Sequence, residues 1–298
     1  MYALATTSPA MPPVYPIVPS PLTVQPLALG QEAEVLAFLA ARPLHTVIIA
    51  SMIRDNGLVN RLNRGAFHAC RDAAGQLLGV ALIGHVTMVE TSSDEAVELF
   101  AELAQQYQTA HVILGEQDKV SRFWDFYGRA GQSPRLLCRE LLLEQRWPVE
   151  VLEPVDLRQA TLDDLDLIAP VHAQLAFEEC GVNPMEKDPI GFRQRVAQRI
   201  KLGRIWVWIE QGKLIFKADI QSETPEQIYL EGVYTHPEER GKGYGSRCLS
   251  QLSRTLLASA SSLCVLVNEQ NPKAQQFYRK AGYAARGYYD TIYLQTVH

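Results

Sequence analysis

No apolar run in the chain approaches the roughly 18 to 20 residues that a membrane-spanning helix needs, so a helical membrane protein is excluded as an expectation. Positive charge is scarce as well: 28 Lys and Arg stand against 33 Asp and Glu, a net charge of −5. Nothing in that balance would neutralise a run of phosphates, which argues against a nucleic-acid partner. The five cysteines (Cys70, Cys138, Cys180, Cys248, Cys264) are odd in number, widely spaced and without a C-x-x-C pair. A disulfide frame or zinc site is therefore not expected, and reduced thiols in a cytoplasmic protein fit better. The first 26 residues hold seven prolines but neither a basic start nor a continuous apolar stretch. They make a poor signal peptide and read as a Pro-rich arm over residues 1–26. The phosphate-loop pattern Gly-x-x-x-x-Gly-Lys-Ser/Thr is missing too.

What is present is enough sequence for two ordinary domains, with 47% hydrophobic and 20% charged residues. From about Leu22 to Glu144 strand-like and helix-like segments alternate: a helix over Gly30 to Ala41 stopped near Pro43, and a hairpin of Gly65 to Arg71 with Leu77 to His85. A strand at Thr87 to Glu90, a helix at Asp94 to Gln106 and a strand at His111 to Leu114 follow. Lys119 to Ala130 reads as a helix and Leu136 to Leu143 as a strand. The stretch around Trp147 to Pro154 is a connector. The second half repeats the order: a strand at Asp156 to Ala160, helices at Asp163 to Glu179 and Pro189 to Ile200, and a hairpin of Ile205 to Glu210 with Lys213 to Gln221. It ends with the strand Leu263 to Val267, the helix Pro272 to Ala281 and the strand Arg286 to Leu294.

The repetition shows in residues as well as in order. Phe126-Tyr127 and Ala130-Gly131 match Phe277-Tyr278 and Ala281-Gly282 at a constant offset of 151 residues, and Glu116-Gln117 matches Glu269-Gln270. A repeat of half the chain means two copies of one domain, expected over residues 27–146 and 152–298. The copies differ at one point. Between the strand Tyr229 to Thr235 and a helix whose apolar face carries Leu249, Leu252, Leu256 and Leu257, the second copy has Arg240-Gly-Lys-Gly-Tyr-Gly245. The first copy has no glycine between Thr87 and Asp94.

Alternating glycines leave the backbone bare and free to take positive φ, so that several amides can face one concavity at a helix N-terminus. The physical expectation is a phosphate or pyrophosphate seat. Arg240-x-x-Gly243-x-Gly245 after a V-x-T-H-P strand end, with Asn271, Ala274, Tyr278 and Gly282 downstream as N-x-x-A-x-x-x-Y-x-x-x-G, resembles the GNAT N-acetyltransferase superfamily. The resemblance covers Asp156 to Leu294. It implies an α/β (α+β) fold of two GNAT-like domains, each a mixed, mostly antiparallel sheet flanked by helices, the N-terminal copy degenerate.

The resemblance also implies a cofactor site. Amides of Arg240, Gly241, Lys242, Gly243, Tyr244, Gly245 and Ser246 would hold the pyrophosphate of acetyl-CoA, with Arg240 and Lys242 adding charge. Val233, Tyr234 and Thr235 would pair with the pantetheine arm, and Asn271 would bond the cofactor unless it only caps its helix. Tyr278 is the expected acid for the departing thiolate, or else a packing aromatic. Glu231, two residues before Val233 and expected on the same strand face, is the expected base, or else a solvated glutamate. Glu178, Glu179 and Asp219 are further candidates, as bases or as contacts for a cationic acceptor. His236 is expected to be exposed. Cys180 and Cys264 lack basic neighbours that would make them nucleophiles. The expected activity is direct transfer of an acetyl group from acetyl-CoA to a primary amine without a metal. The alternative is an acyl-CoA-binding sensor or pseudoenzyme.

Overall fold

The computed structural model describes residues 22–107, 109–150 and 153–295; the proline-rich arm lies almost wholly outside them. The first half runs β1 (Thr23–Pro26), α1 (Glu32–Leu39), α2 (Pro43–Asn56), β2 (Gly65–Arg71), β3 (Leu77–Gly84), β4 (Val86–Thr91), α3 (Asp94–Ala104), β5 (Val112–Glu116), α4 (Gln117–Tyr127) and β6 (Pro134–Gln145). The second runs β7 (Arg158–Gln159), α5 (Leu165–Cys180), a four-residue turn of helix α6 (Pro184–Lys187), α7 (Pro189–Lys201), β8 (Ile205–Glu210), β9 (Lys213–Glu223), β10 (Gln227–Thr235), α8 (Tyr244–Leu256), β11 (Ser262–Asn268), α9 (Pro272–Lys280) and β12 (Ala284–Leu294). Apart from α6, the two halves have the same element order.

Two elements depart from the sequence reading. Pro43 does not merely stop α1; it opens α2 at the first helical position, where its missing N–H costs nothing. Thr46 ties the two helices by donating its hydroxyl to the Leu39 carbonyl at 2.7 Å. Residues 23–26, counted above with the arm, form the edge strand β1 against β2.

The halves share one twelve-stranded sheet in the order β1-β2-β3-β4-β5-β12-β6-β11-β10-β9-β8-β7. The order is near-palindromic, and the last strand of each half lies beside the fifth strand of the other: β12 pairs with β5 and β6 with β11, all antiparallel. At the centre β6 and β12 pair along nearly their full lengths. Alternation explains the layering. On one face of the second half Phe216, Ala218, Ile228, Leu230 and Val265 meet α8 and α9 in one core. On α8, Leu249 and Leu252 are fully buried, as its apolar spacing requires, each stabilising by roughly 1.5 to 3 kcal/mol. On the other face a cluster joins both halves: Val47 of α2, Leu142 of β6, Tyr229 of β10, Cys264 of β11 and Tyr289 of β12.

Candidate functional site

The second half supplies an opening in the sheet. Strands β10 and β11 pair in parallel only from Gln227↔Ser262 to Tyr229↔Cys264 and then diverge, β11 pairing on its other side with β6. From Leu230 to Thr235 the side of β10 facing β11 therefore has no strand partner.

The glycine loop lies at the end of β10. Pro237–Glu239 form a 3₁₀ turn, and Gly241 and Gly243 take φ of 81° and 82°, conformations that favour glycine. Gly245 is required for a different reason: a Cβ there would come within 2.7 Å of Thr235 Oγ1 and 3.3 Å of the Phe277 ring. That close approach brings the N-terminus of α8 against β10. The first amide bonded in the helix is that of Arg247, to the Gly243 carbonyl at 3.1 Å. The amides of residues 241 to 246 make no hydrogen bond among the described residues. Six consecutive free donors at a helix N-terminus form a seat for an anion. The rim carries less free charge than the sequence suggests, because Lys242 pairs with Glu239 at 2.7 Å, Lys213 pairs with Glu238 and Glu239, and Arg240 Nε donates to the Thr235 carbonyl.

Asn271 caps α9, its Oδ1 accepting from the Ala274 amide at 3.0 Å, which leaves its side-chain NH₂ available. Tyr278 is buried, edge-on to Phe277 and Tyr283, and its hydroxyl makes no hydrogen bond among the described residues. Burial raises its pKa, so at neutral pH it is a proton donor. His236 caps the 3₁₀ turn through Nδ1. Burial pushes the Cys264 thiol up to about 12, which suits a packing role.

Glu231 and Val233 do not share a face. Gly232, at φ 58°, lies in a bulge where Gly232 and Val233 together fall between Glu231↔Asp219 and Tyr234↔Lys217. Val233 turns to the core beneath α8, while Glu231 stays on the opposite face beside Asp219. Two residues that the sequence reading did not single out hold this bulge. Lys217, wholly buried, donates to the Gly232 carbonyl at 3.1 Å and to Asp219 Oδ2 at 2.6 Å, and His172 of α5 reaches Asp219 at 3.1 Å. The signal for them was the Lys217-Ala-Asp219 step inside an otherwise apolar strand.

That network removes Asp219 as a base. Burial would raise its pKa, but Lys217 and His172 hold its carboxyl far below the usual carboxylate range. Among the described residues no cation is paired with Glu231, and burial, with repulsion from Glu179, pushes it up to about 7. Glu179 accepts a hydrogen bond from Tyr293 at 3.1 Å, while Glu178 bonds only Gln174 one helical turn back. Among the described residues no three His, Cys, Asp or Glu side chains converge as metal ligands would.

The matching place in the first half is built differently. Strands β4 and β5 also pair in parallel, at Val86↔Val112 and Thr87↔Ile113. Counting along the strand from the first such pair, Glu90 holds the place of Glu231. Here the gap is bridged: Arg42 binds Glu90 at 2.9 Å and Glu116 at 2.7 Å, and Lys119 binds the same two carboxylates at 2.8 and 2.7 Å. The eight-residue loop before α8 shrinks to Ser92 and Ser93, and Ser93 caps α3 with its own hydroxyl. With its helix end capped and its splay closed by ions, this copy offers no comparable seat.

The bridge carries a stability prediction. Arg42→Met is expected to cost about 2 kcal/mol at pH 7, below the 3 to 5 typical of fully buried pairs because Arg42 is 39% exposed. Burial opposes ionisation of Glu116, but Arg42 and Lys119 hold its pKa at about 2. This stabilisation is therefore present above the ordinary carboxylate pKa and is lost as pH falls toward 2. Thermal melts of both proteins should differ at pH 7 and converge toward pH 3; equal melting at pH 7 would remove the bridge from the stability account.

Residues 201–285, from the end of α7 to the start of β12 and including the glycine loop and Tyr278, match the family model of the acetyltransferase (GNAT) domain. That stretch of the chain is similar to the GNAT acetyltransferase domain. Similar solved structures extend the GNAT fold over both halves. A GNAT-family acetyltransferase from Colwellia psychrerythraea aligns over 92% of this chain and 100% of its own, with a TM-score of 0.55 and 11% identity. A GCN5-related N-acetyltransferase from Sphaerobacter thermophilus aligns over 92% and 96%, with a TM-score of 0.59 and 13% identity. A tandem GNAT protein from the clavulanic acid biosynthesis pathway aligns over 91% and 98%, with a TM-score of 0.54 and 14% identity. Identities this low speak for the fold alone. No curated protein matches the chain.

Proposed function

We propose that the second GNAT half is an N-acetyltransferase that moves an acetyl group from acetyl-CoA to a primary amine by direct transfer. The observation that carries this reading is the run of free amides at residues 241–246, set at the mouth of the opening between β10 and β11. In it the pyrophosphate rests on the amides, and the unpaired edge of β10 at Val233, Tyr234 and Thr235 meets the amide groups of the pantetheine arm.

The reaction joins the amine nitrogen to the acetyl carbon and breaks the carbon–sulfur bond. One proton must leave the amine and one must reach the sulfur. Glu231, on the α5 face of the opening, takes the first; with a pKa near neutrality it is ionised often enough to act and basic enough to accept. Tyr278, packed on the α8–α9 face, gives the second from a hydroxyl that makes no hydrogen bond among the described residues. Acid and base thus stand on opposite faces of the sheet. Tyr278→Phe is expected to lower turnover under saturating acetyl-CoA by about 10²-fold without weakening donor binding. Unchanged turnover would remove Tyr278 from the chemistry.

The seat is tested apart from the chemistry. Acetyl-CoA is expected to raise the melting temperature of the wild-type protein, and Gly243→Trp is expected to abolish the rise, because the left-handed φ of 82° is lost and an indole falls on the amides. If the variant is folded and still responds to acetyl-CoA, the seat is elsewhere.

A further inference from the structure

Three carboxyls lie on the α5 face of the opening with no cation paired to any of them among the described residues. Glu231 comes from β10, Glu179 from the end of α5, and Glu140 from β6, the strand that the first half lends to the second. Their positions are fixed by neighbours. Glu140 lies opposite Tyr289 on β12 and accepts from Thr291 at 2.9 Å; Glu179 accepts from Tyr293 at 3.1 Å. Thr291 and Tyr293 are two apart on β12 and point to the same face. Repulsion runs through the group, from Glu231 to Glu140, from Glu140 to Glu179 and from Glu179 to Glu231, on top of the burial that raises all three pKa values.

A second observation lies two residues before Glu231 on the same face of β10. Tyr229 is only 8% exposed, its ring packed on Leu142, Cys264 and Tyr289, yet its hydroxyl bonds to nothing among the described residues. All three carboxyls act on that phenol. None of the nearby cations is paired with these three carboxyls among the described residues, although Arg199 favours the ionised form of Glu231. Lys217 is held by Asp219, Arg199 donates to Gln221 and the Ile220 carbonyl, Arg139 is bound by Asp290 at 2.8 Å, and Arg135 donates to the Cys180 carbonyl. Beside the group opens a groove of about 580 Å³ bounded by residues 135–139, 177–181 and 268–270, a size that suits a small molecule.

We infer that this face is the recognition site for an acceptor amine carrying at least one further positive charge, a diamine or polyamine, and that the first half contributes to it through Glu140. The inference rests on the acetyltransferase reading and narrows it. Desolvated carboxylates left without a partner repel one another, and a dication relieves that repulsion while its N–H groups satisfy both the carboxylates and the Tyr229 oxygen. A neutral-ended amine of equal length leaves one more carboxylate uncompensated than the dication does.

Two measurements test this on the full chain. Calorimetry with spermidine in the presence of CoA should show binding, weakened about tenfold by Glu140→Gln and by Glu179→Gln, each of which keeps an oxygen for Thr291 or Tyr293. Thiol release from acetyl-CoA should favour 1,5-diaminopentane over 5-aminopentan-1-ol by about tenfold in kcat/KM, and both variants should erase most of that preference. Equal rates with the two amines, or spermidine binding unchanged in both variants, overturns the inference. Acetyl-CoA affinity is measured on the same samples. Donor binding without discrimination between the amines removes only the dication site, whereas absent donor binding removes the acetyltransferase reading with it.

Discussion

Expressed without the first half, residues 153–298 are expected to give aggregates or swapped dimers and no cooperatively folding monomer. The reason is in the strand order. Among the described residues β12 pairs only with β5 and β6, both of which the fragment lacks. β11 loses its antiparallel neighbour along Leu263 to Asn268, so two long apolar edges are bared at once. The fragment also loses Val47 and Leu142 from the cluster on Tyr229, and the bond from the Glu223 amide to Ser51 of α2 at 3.1 Å. Co-expression of residues 1–150 with 151–298 as two chains should restore a 1:1 complex, read by light scattering and by a single thermal transition. A monodisperse, cooperatively melting fragment would show that β12 can fold back onto β11, and would make the exchange of strands dispensable.

Much of this architecture was legible in the residues. The offset of 151 between Phe126-Tyr127 and Phe277-Tyr278 gave two copies, and the structure puts both pairs on corresponding helices, α4 and α9. The alternating glycines gave the loop, since only a chain that must reach positive φ at 241 and 243 and approach Thr235 at 245 has a physical use for that spacing. What the pattern does not encode is pairing between distant strands. An antiparallel strand reads the same whether its neighbour is its own copy or the other, so the crossing of β6 and β12 is invisible along the chain. Glu140 was missed for that reason: as a residue of the first half it had no evident link to a site in the second. The bulge at Gly232 was missed because a single glycine in a strand does not announce whether it shifts the register, and the shift is what separates Val233 from Glu231. Pro43 misled through its two roles, ending one helix and opening the next.

The same bulge decides what Glu231 can do, and Glu231→Gln is expected to lower kcat by about 10²- to 10³-fold at pH 8. In the wild type, kcat/KM should rise with pH through about 7, the value to which burial and Glu179 push this carboxyl, as the base becomes ionised. In the variant that limb should flatten. Stability runs the other way. Glu231 has a higher pKa in the folded chain than when unfolded, so from the ordinary carboxylate range near 4.5 up to about 7 the unfolded state gives up its proton first. The folded state is penalised progressively over that window and fully above it. The glutamine has no charge to desolvate, so the variant should melt higher than wild type at pH 8, and the gap should close below pH 5. Higher melting with lower turnover in one protein distinguishes a base from a structural residue, whose loss would lower both. Should the variant keep wild-type kcat at pH 8 with its pH limb intact, the proton leaves the amine by another route and Glu231 belongs only to the acceptor site. The first half supplies an internal contrast. Glu90 occupies the corresponding place on β4, but Arg42 and Lys119 pin it. In the second half no cation is paired with the carboxylate at that position among the described residues, and burial leaves it with a pKa of about 7.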